Sequence, residues 1–224
     1  MPGRNVVKNY VAGGVYHVYN RGVEKRTIFT DGEDYRVFLH FLGLYLRPGN
    51  QRQQETLPRG LSLAGSDYDL DTRIDLLAYC LMPNHFHLLL LQADERSMSE
   101  LMRRQSNAYV GYFNKKHGRV GTLFQGRYRA ALIDRTELLV HVSRYIHRNP
   151  TEVLARSRNA RLDQYRYSSY PDYIGIRTTP WLRPSLVLEQ FKAKDVDASR
   201  SYRDYVEGES EQTDDTPVSW YRLD

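Results

Sequence analysis

Two histidines separated by one residue, His85 and His87, sit inside the run L-M-P-N-H-F-H-L-L-L-L from Leu81 to Leu91. On a β-strand, residues i and i+2 face the same side, so both imidazoles project together while Phe86 points into the opposite layer. Two imidazoles on one rigid strand are half of a metal site. The plainer reading is two histidines hydrogen-bonded in or beside the core. Apolar sequence on both flanks counts against it, because ring nitrogens in that setting need partners. A second cluster is R-Y-I-H-R-N-P, Arg144 to Pro150, where Tyr145 and Asn149 are four residues apart and share a helical face. Tyr145 offers a hydroxyl and Asn149 an amide oxygen. Each also has an ordinary reading, a half-buried core tyrosine and a helix-end amide ahead of a proline that disfavours helical geometry.

The elements that must carry these residues follow from periodicity. Val15–Asn20 (V-Y-H-V-Y-N) reads as a first strand. Asp31 opens a helix whose apolar set Val37, Phe38, Phe41, Leu42 and Tyr45 has helical spacing, and Pro48 follows its end. Residues 48–73 are polar and aperiodic, a long loop or irregular hairpin. Ile74–Met82 and His85–Gln92 are two apolar strands turning at Pro83-Asn84. Ser97 with Glu100 predicts a capping box for a helix that stops at Gly118. Gly126–Ile133 predicts a fourth strand, and Asp134 with Glu137 predicts a capped helix running to Asn149-Pro150. The order β-α-β-β-α-β plus a further helix predicts an α+β, ferredoxin-like core with an antiparallel sheet, followed by a C-terminal extension with two short helices.

Charge is divided along the chain. Residues 195–224 hold nine acids against three bases, net −6, which leaves the other 194 residues at +11. From Leu101 to Leu132 there are seven bases and no acid: Arg103, Arg104, Lys115, Lys116, Arg119, Arg127 and Arg129. Interleaved with some of the chain's 18 tyrosines, such a segment suits nucleic acid, with phosphates held by the bases and bases stacked on rings. A solvated helix face is the alternative. Hydrophobic content of 41% and charged content of 26% exclude wholesale disorder. No apolar run reaches the ~18 residues of a membrane span, and the single cysteine, Cys80, allows no intramolecular disulfide. A cytoplasmic protein free of the membrane is expected.

With these residues in view, the chain resembles the REP-associated tyrosine transposases, single-tyrosine members of the HUH endonuclease superfamily, and their insertion-sequence relatives. The resemblance rests on H-F-H at His85–His87 and on Y-I-H-x-N-P at Tyr145–Pro150. V-Y-N-R-G at Val18–Gly22, I-F-x-D-x-x-D-Y-x-x-F-L at Ile28–Leu39, Y-F-N-K-K-H-G-R-V-G at Tyr112–Gly121 and the Tyr-rich run Tyr165–Gly175 add to it. The loop 48–73 and the acidic tail depart from the pattern. The resemblance implies Tyr145 as nucleophile and His85, His87 and Asn149 as ligands of Mg²⁺ or Mn²⁺. It implies cleavage and rejoining of single-stranded DNA at hairpin-bearing sites through a 5′-phosphotyrosine, with a homodimer allowed. It also implies residues 1–150 as the catalytic domain, 151–194 as an Arg- and Tyr-rich extension and 195–224 as an acidic C-terminal segment. Two other readings stand beside it: a DNA-binding relative without catalysis, and an unrelated zinc hydrolase, which lacks a third ligand at convincing spacing.

Overall fold

Strand β1, Val15–Arg21, is buried over its whole interior, on both faces. A strand buried on alternating sides needs cover above and below, and that requirement organises the fold. β1 lies inside a four-stranded antiparallel sheet with β2 (Ile74–Met82), β3 (His85–Gln92) and β4 (Arg129–Ile133), in the order β2-β3-β1-β4. This is the expected ferredoxin-like α+β core. The structure, a computed structural model, describes residues 10–48, 69–155, 160–192 and 197–208. The expected loop 48–73 therefore lies mostly outside the described residues, and its end, Asp69–Thr72, forms a 3₁₀ turn.

One sheet face is covered by α1 (Gly32–Leu46) and α2 (Ser97–Lys116). Phe38 of α1 meets Phe86 of β3 with ring centroids 5.2 Å apart. Burying each of these rings stabilises the fold by about 2–3 kcal/mol. Asp31 caps α1 as expected, accepting from the Glu33 and Asp34 amides. The Ser97/Glu100 box does not form. Asp94 caps α2 instead, its Oδ1 accepting from the Arg96 and Ser97 amides at 2.8 and 3.0 Å. Ser97 is already helical and donates its hydroxyl to Asp94, and Glu100 pairs with Arg73 and Arg104. α2 ends before Gly118, whose φ of +60° suits glycine. β4 begins at Arg129, three residues later than the alternation suggests.

The other face is covered by α3 (Thr136–Arg148), the helix that carries Tyr145. Asp134 does not cap it. The capping position falls on Arg135, which makes no side-chain cap, and Asp134 pairs with Arg135 at 3.6 Å. α3 is held by packing rather than by its ends.

Beyond α3 the extension is more helical than expected: α4 (Thr151–Leu154), α5 (Tyr170–Tyr173), α6 (Ser185–Leu188) and α7 (Ala198–Glu207). Ser169 joins it to β2, its amide donating to Tyr79 O at 2.9 Å and its Oγ accepting from Tyr79 N at 2.8 Å. α7 packs on the back of α3. Tyr202, fully buried, approaches His147 Nδ1 at 2.7 Å and donates to Ser143 Oγ at 3.1 Å. Arg144 donates to Tyr205 O and Gly208 O at 2.8 and 2.9 Å, satisfying carbonyls at the end of α7. Truncation after Lys194 removes this helix and opens the core around His147, so the melting temperature is expected to fall by several degrees. A melting temperature equal to that of the full-length protein in differential scanning calorimetry would contradict the bracing role of α7.

Candidate functional site

The β2–β3 hairpin turns at Pro83-Asn84, with Met82 opposite His85 and Cys80 opposite His87. β1 completes the same face: Tyr19 lies opposite His87 and Arg21 opposite His85. Residues 22–26, after β1, are fastened to the hairpin turn. Gly22 N donates to Asn84 O at 2.8 Å, and Asn84 Nδ2 donates to Lys25 O at 3.3 Å. Glu24 and Lys25 take φ near +57° and +58°, a left-handed turn that costs non-glycine residues on the order of 1 kcal/mol each. The consequence is local to the site. With its amide group turned to Lys25, Asn84 presents Oδ1 to His85 Nδ1 at 2.7 Å.

Asn149, the C-cap of α3, reaches the same histidine from the other side. Its Nδ2 donates to Tyr145 O at 3.1 Å, which leaves Oδ1 facing His85 Nε2 at 3.2 Å. The amide therefore does both jobs open to it in the sequence, satisfying an end carbonyl and facing the histidine. His85 now has a carbonyl-type oxygen at each ring nitrogen. A neutral imidazole carries one proton, so two acceptors suit it only if it is doubly protonated or if a cation sits where lone pairs converge. Burial holds His85 below its ordinary pKa, with the Asn149 hydrogen bond and Glu152 opposing and Arg21 adding to the shift. With its one proton on Nδ1, donated to Asn84 Oδ1, neutral His85 would turn its Nε2 lone pair toward the same place as Asn149 Oδ1.

His87 adds a third donor. It is fully buried, and its Nε2 makes no hydrogen bond among the described residues. Burial pushes its pKa well down, His17 and His85 adding to the effect and the Asn149 amide opposing it. The Asn149 amide stands near Nε2 without a hydrogen bond of good geometry, and a buried nitrogen so placed costs about 1–3 kcal/mol unless something binds it. Cis ligands on an octahedral ion with bonds of ~2.1 Å lie ~3 Å apart, and the 3.2 Å between His85 Nε2 and Asn149 Oδ1 fits that spacing. Two neutral imidazoles and one amide oxygen are a donor set suited to Mn²⁺ and, through open positions, to Mg²⁺. Among the described residues no three His, Cys, Asp or Glu side chains gather as a metal-binding trio, so the zinc-hydrolase reading gains no third ligand.

Tyr145 stands over this set. Its ring meets His87 edge-on at 5.4 Å between centroids and His17 at 6.0 Å. His17, in the middle of β1, approaches His87 Nδ1 through its Nε2 at 2.9 Å. Sequence reasoning missed this histidine, as it missed Arg21 and Asn84. Alternation along V-Y-H-V-Y-N-R put His17 on one face with Tyr19 and Arg21, but only register shows which face.

Burial pushes the pKa of His17 down to about 3, and that of His147 as well. Both stay neutral in the native state while their unfolded counterparts take up protons below about 6.5. Stability is therefore fully present above that pH and lost as pH falls from 6.5 toward 3, by about 1 kcal/mol for each histidine at pH 5.5. Urea midpoints at pH 7.5 and 5.5 measure it, and identical midpoints would contradict neutral burial.

The seven bases fall in three places. Arg103, Arg104, Lys115 and Lys116 lie on α2, on the sheet face opposite the histidines. Arg104 is paired with Glu100, and Lys116 contacts Asp31, Glu33 and Asp34 at 2.8–3.0 Å. Arg119 lies over the Phe113 ring at 5.7 Å. Arg127 and Arg129 are exposed and, with Tyr19, Asn20, Arg21, Gln125 and Gly126, line a pocket beside the histidine face. The structure thus brings Tyr145, His85, His87 and Asn149 together, places Arg127 and Arg129 next to them, and keeps the α2 bases apart.

Comparison with known proteins gives these positions a setting. Residues 61–149, which span both histidines, Tyr145 and Asn149, match the profile of the family described as "Transposase IS200 like". The match covers that segment, 89 of the chain's 224 residues. The structure of a REP-associated tyrosine transposase bound to a REP hairpin is similar over 81% of this chain and 92% of that one, with a TM-score of 0.53 and 15% identity, a likeness of fold. A crystal structure described as a transposase from Deinococcus radiodurans R1 covers 65% of this chain and 95% of its own at 16% identity. Its TM-score of 0.36 is too low to carry an argument. A search of the curated proteins returns no match. Among the described residues no helix is long and apolar enough to cross a membrane.

Proposed function

We propose that the chain is a transposase-type DNA strand transferase that cleaves and rejoins single-stranded DNA at hairpin-bearing sites, with Tyr145 as nucleophile. The single observation that carries this is the convergence of His85 Nε2 and Asn149 Oδ1 beside buried His87 Nε2, under the Tyr145 ring. His85, His87 and Asn149 would hold Mg²⁺ or Mn²⁺, which supplies neutralisation of the scissile phosphate's charge. Tyr145 Oη forms a bond to phosphorus and the P–O3′ bond breaks. The proton leaving the phenol balances the one gained by the 3′-oxygen, and the products are a 5′-phosphotyrosine and a free 3′-hydroxyl. Because one phosphodiester replaces another, the step is reversible, which rejoining requires. Arg127 and Arg129, with Arg21, supply positive charge where the strand would run.

In this reading residues 1–150 form the catalytic unit, 151–194 are an Arg- and Tyr-rich extension packed on it, and α7 of the acidic segment braces α3. The REP hairpin in the similar structure supports a hairpin as the substrate to try first. Labelled single strands carrying a hairpin, incubated with Mg²⁺, Mn²⁺ or EDTA, test the proposal. Ion-dependent cleavage with label transferred to protein is expected. Binding without cleavage under every condition would favour a DNA-binding relative without catalysis.

A further inference from the structure

We infer that His17 is a positioning residue that turns His87 Nε2 toward the ion site. The inference rests on the reading of His85, His87 and Asn149 as metal ligands. His17 has no solvent exposure, and its ring stacks on His87 at 5.0 Å between centroids and 21° between planes. The strands place Tyr19, not His17, directly opposite His87. His17 reaches it along the diagonal, within the ~7–8 Å that long aromatic side chains can bridge.

One hydrogen bond joins the two rings, His17 Nε2 to His87 Nδ1 at 2.9 Å. Only one of them contributes the proton. If His87 accepts, its own proton lies on Nε2 and blocks the nitrogen that faces Asn149. If His87 donates from Nδ1, Nε2 keeps its lone pair for an ion. With His85 Nε2 and Asn149 Oδ1, 3.2 Å apart, read as ion ligands, only the second arrangement lets His87 Nε2 join them, and in it His17 Nε2 accepts from His87 Nδ1. A ligating histidine whose other nitrogen donates to a fixed acceptor has its tautomer and ring angle set before the ion arrives. A core histidine present only to fill space would have no such consequence for the ion.

The experiment titrates Mn²⁺ into full-length protein, followed by calorimetry and by the loss of free Mn²⁺ signal in electron paramagnetic resonance. His17→Phe keeps a ring and removes the acceptor, and is expected to weaken Mn²⁺ binding about 10–100-fold. His17→Gln restores an acceptor oxygen and is expected to recover most of that affinity. Unchanged affinity in His17→Phe, or equal losses in both variants, overturns the inference. Nitrogen-15 spectra of wild-type imidazoles with Mg²⁺ decide it even where a variant fails to fold. His87 protonated at Nδ1 supports it, and His87 protonated at Nε2 overturns it. Wild type that binds no Mn²⁺ removes the metal reading itself and this inference with it, whereas wild-type binding with an indifferent His17→Phe removes the inference alone.

Discussion

Replacing Tyr145 with Phe is expected to abolish the covalent protein–DNA adduct and to lower strand cleavage by at least about a thousandfold, because the attacking oxygen is gone. Phenylalanine keeps the ring that lies over His87 and His17, so the site's packing survives. Loss of a single hydroxyl at a half-buried position should change stability by about 1 kcal/mol or less. Hairpin binding and Mn²⁺ affinity should also persist, since neither depends on the phenol oxygen. The choice matters in a chain with 18 tyrosines. Tyr109 and Tyr112 lie on α2, on the far side of the sheet, where burial raises their pKa values. A Tyr145→Phe protein that still cleaved at the wild-type rate would assign the chemistry elsewhere.

The second large effect is expected at His85. His85→Ala removes one of the two converging lone pairs, and Mn²⁺ affinity should fall by at least about 100-fold, more than the loss of an outer-shell partner. Cleavage should fall with it and be partly restored by high Mn²⁺. The hydrogen bond to Asn84 is lost as well, a cost of about 1 kcal/mol. The single variant is preferable to a double one. His87 is fully buried against His17, so His87→Ala leaves a cavity and a disturbed neighbour that together cost about 1–3 kcal/mol. Metal titration and cleavage read side by side check the prediction. Unaltered Mn²⁺ binding in His85→Ala would remove it from the ligand set.

The four residues of the candidate site stood out in the sequence because each lies within a short, regular segment, while the roles given to them came from the family resemblance. His85 and His87 obey strand alternation, and Tyr145 and Asn149 obey helical spacing. The ferredoxin-like order was legible for the same reason. What was not legible depends on register and on side-chain reach. The bond between His17 and His87 requires β1 and β3 to pair with Tyr19 opposite His87, and no local pattern fixes that pairing. Asn84 orients His85 only because the left-handed turn at Glu24 and Lys25 takes up its amide. The capping boxes failed by a few residues, Asp94 replacing Ser97 and Arg135 standing where Asp134 was expected to act. The basic run Leu101–Leu132 reads as one stripe in sequence, yet the turn after α2 carries its second half around to the other face of the sheet. α7 was hidden because the −6 of residues 195–224 was read as one acidic tail, although Ala198–Glu207 itself holds two acids and two bases. Its packing depends on Tyr202 and Val206 alone on the inner side, too few residues to signal a core helix.

The most direct measurement of the central claim is location of the DNA-linked residue. Wild-type protein is incubated with Mg²⁺ and a hairpin-bearing single strand, the adduct is isolated and digested, and the nucleotide-bearing peptide is sequenced by mass spectrometry. The account predicts one modified residue, Tyr145, joined to the 5′-phosphate of the downstream fragment, and no adduct in EDTA. A nucleotide found on another tyrosine, a 3′-phosphate linkage, or cleavage with no adduct at all would contradict it.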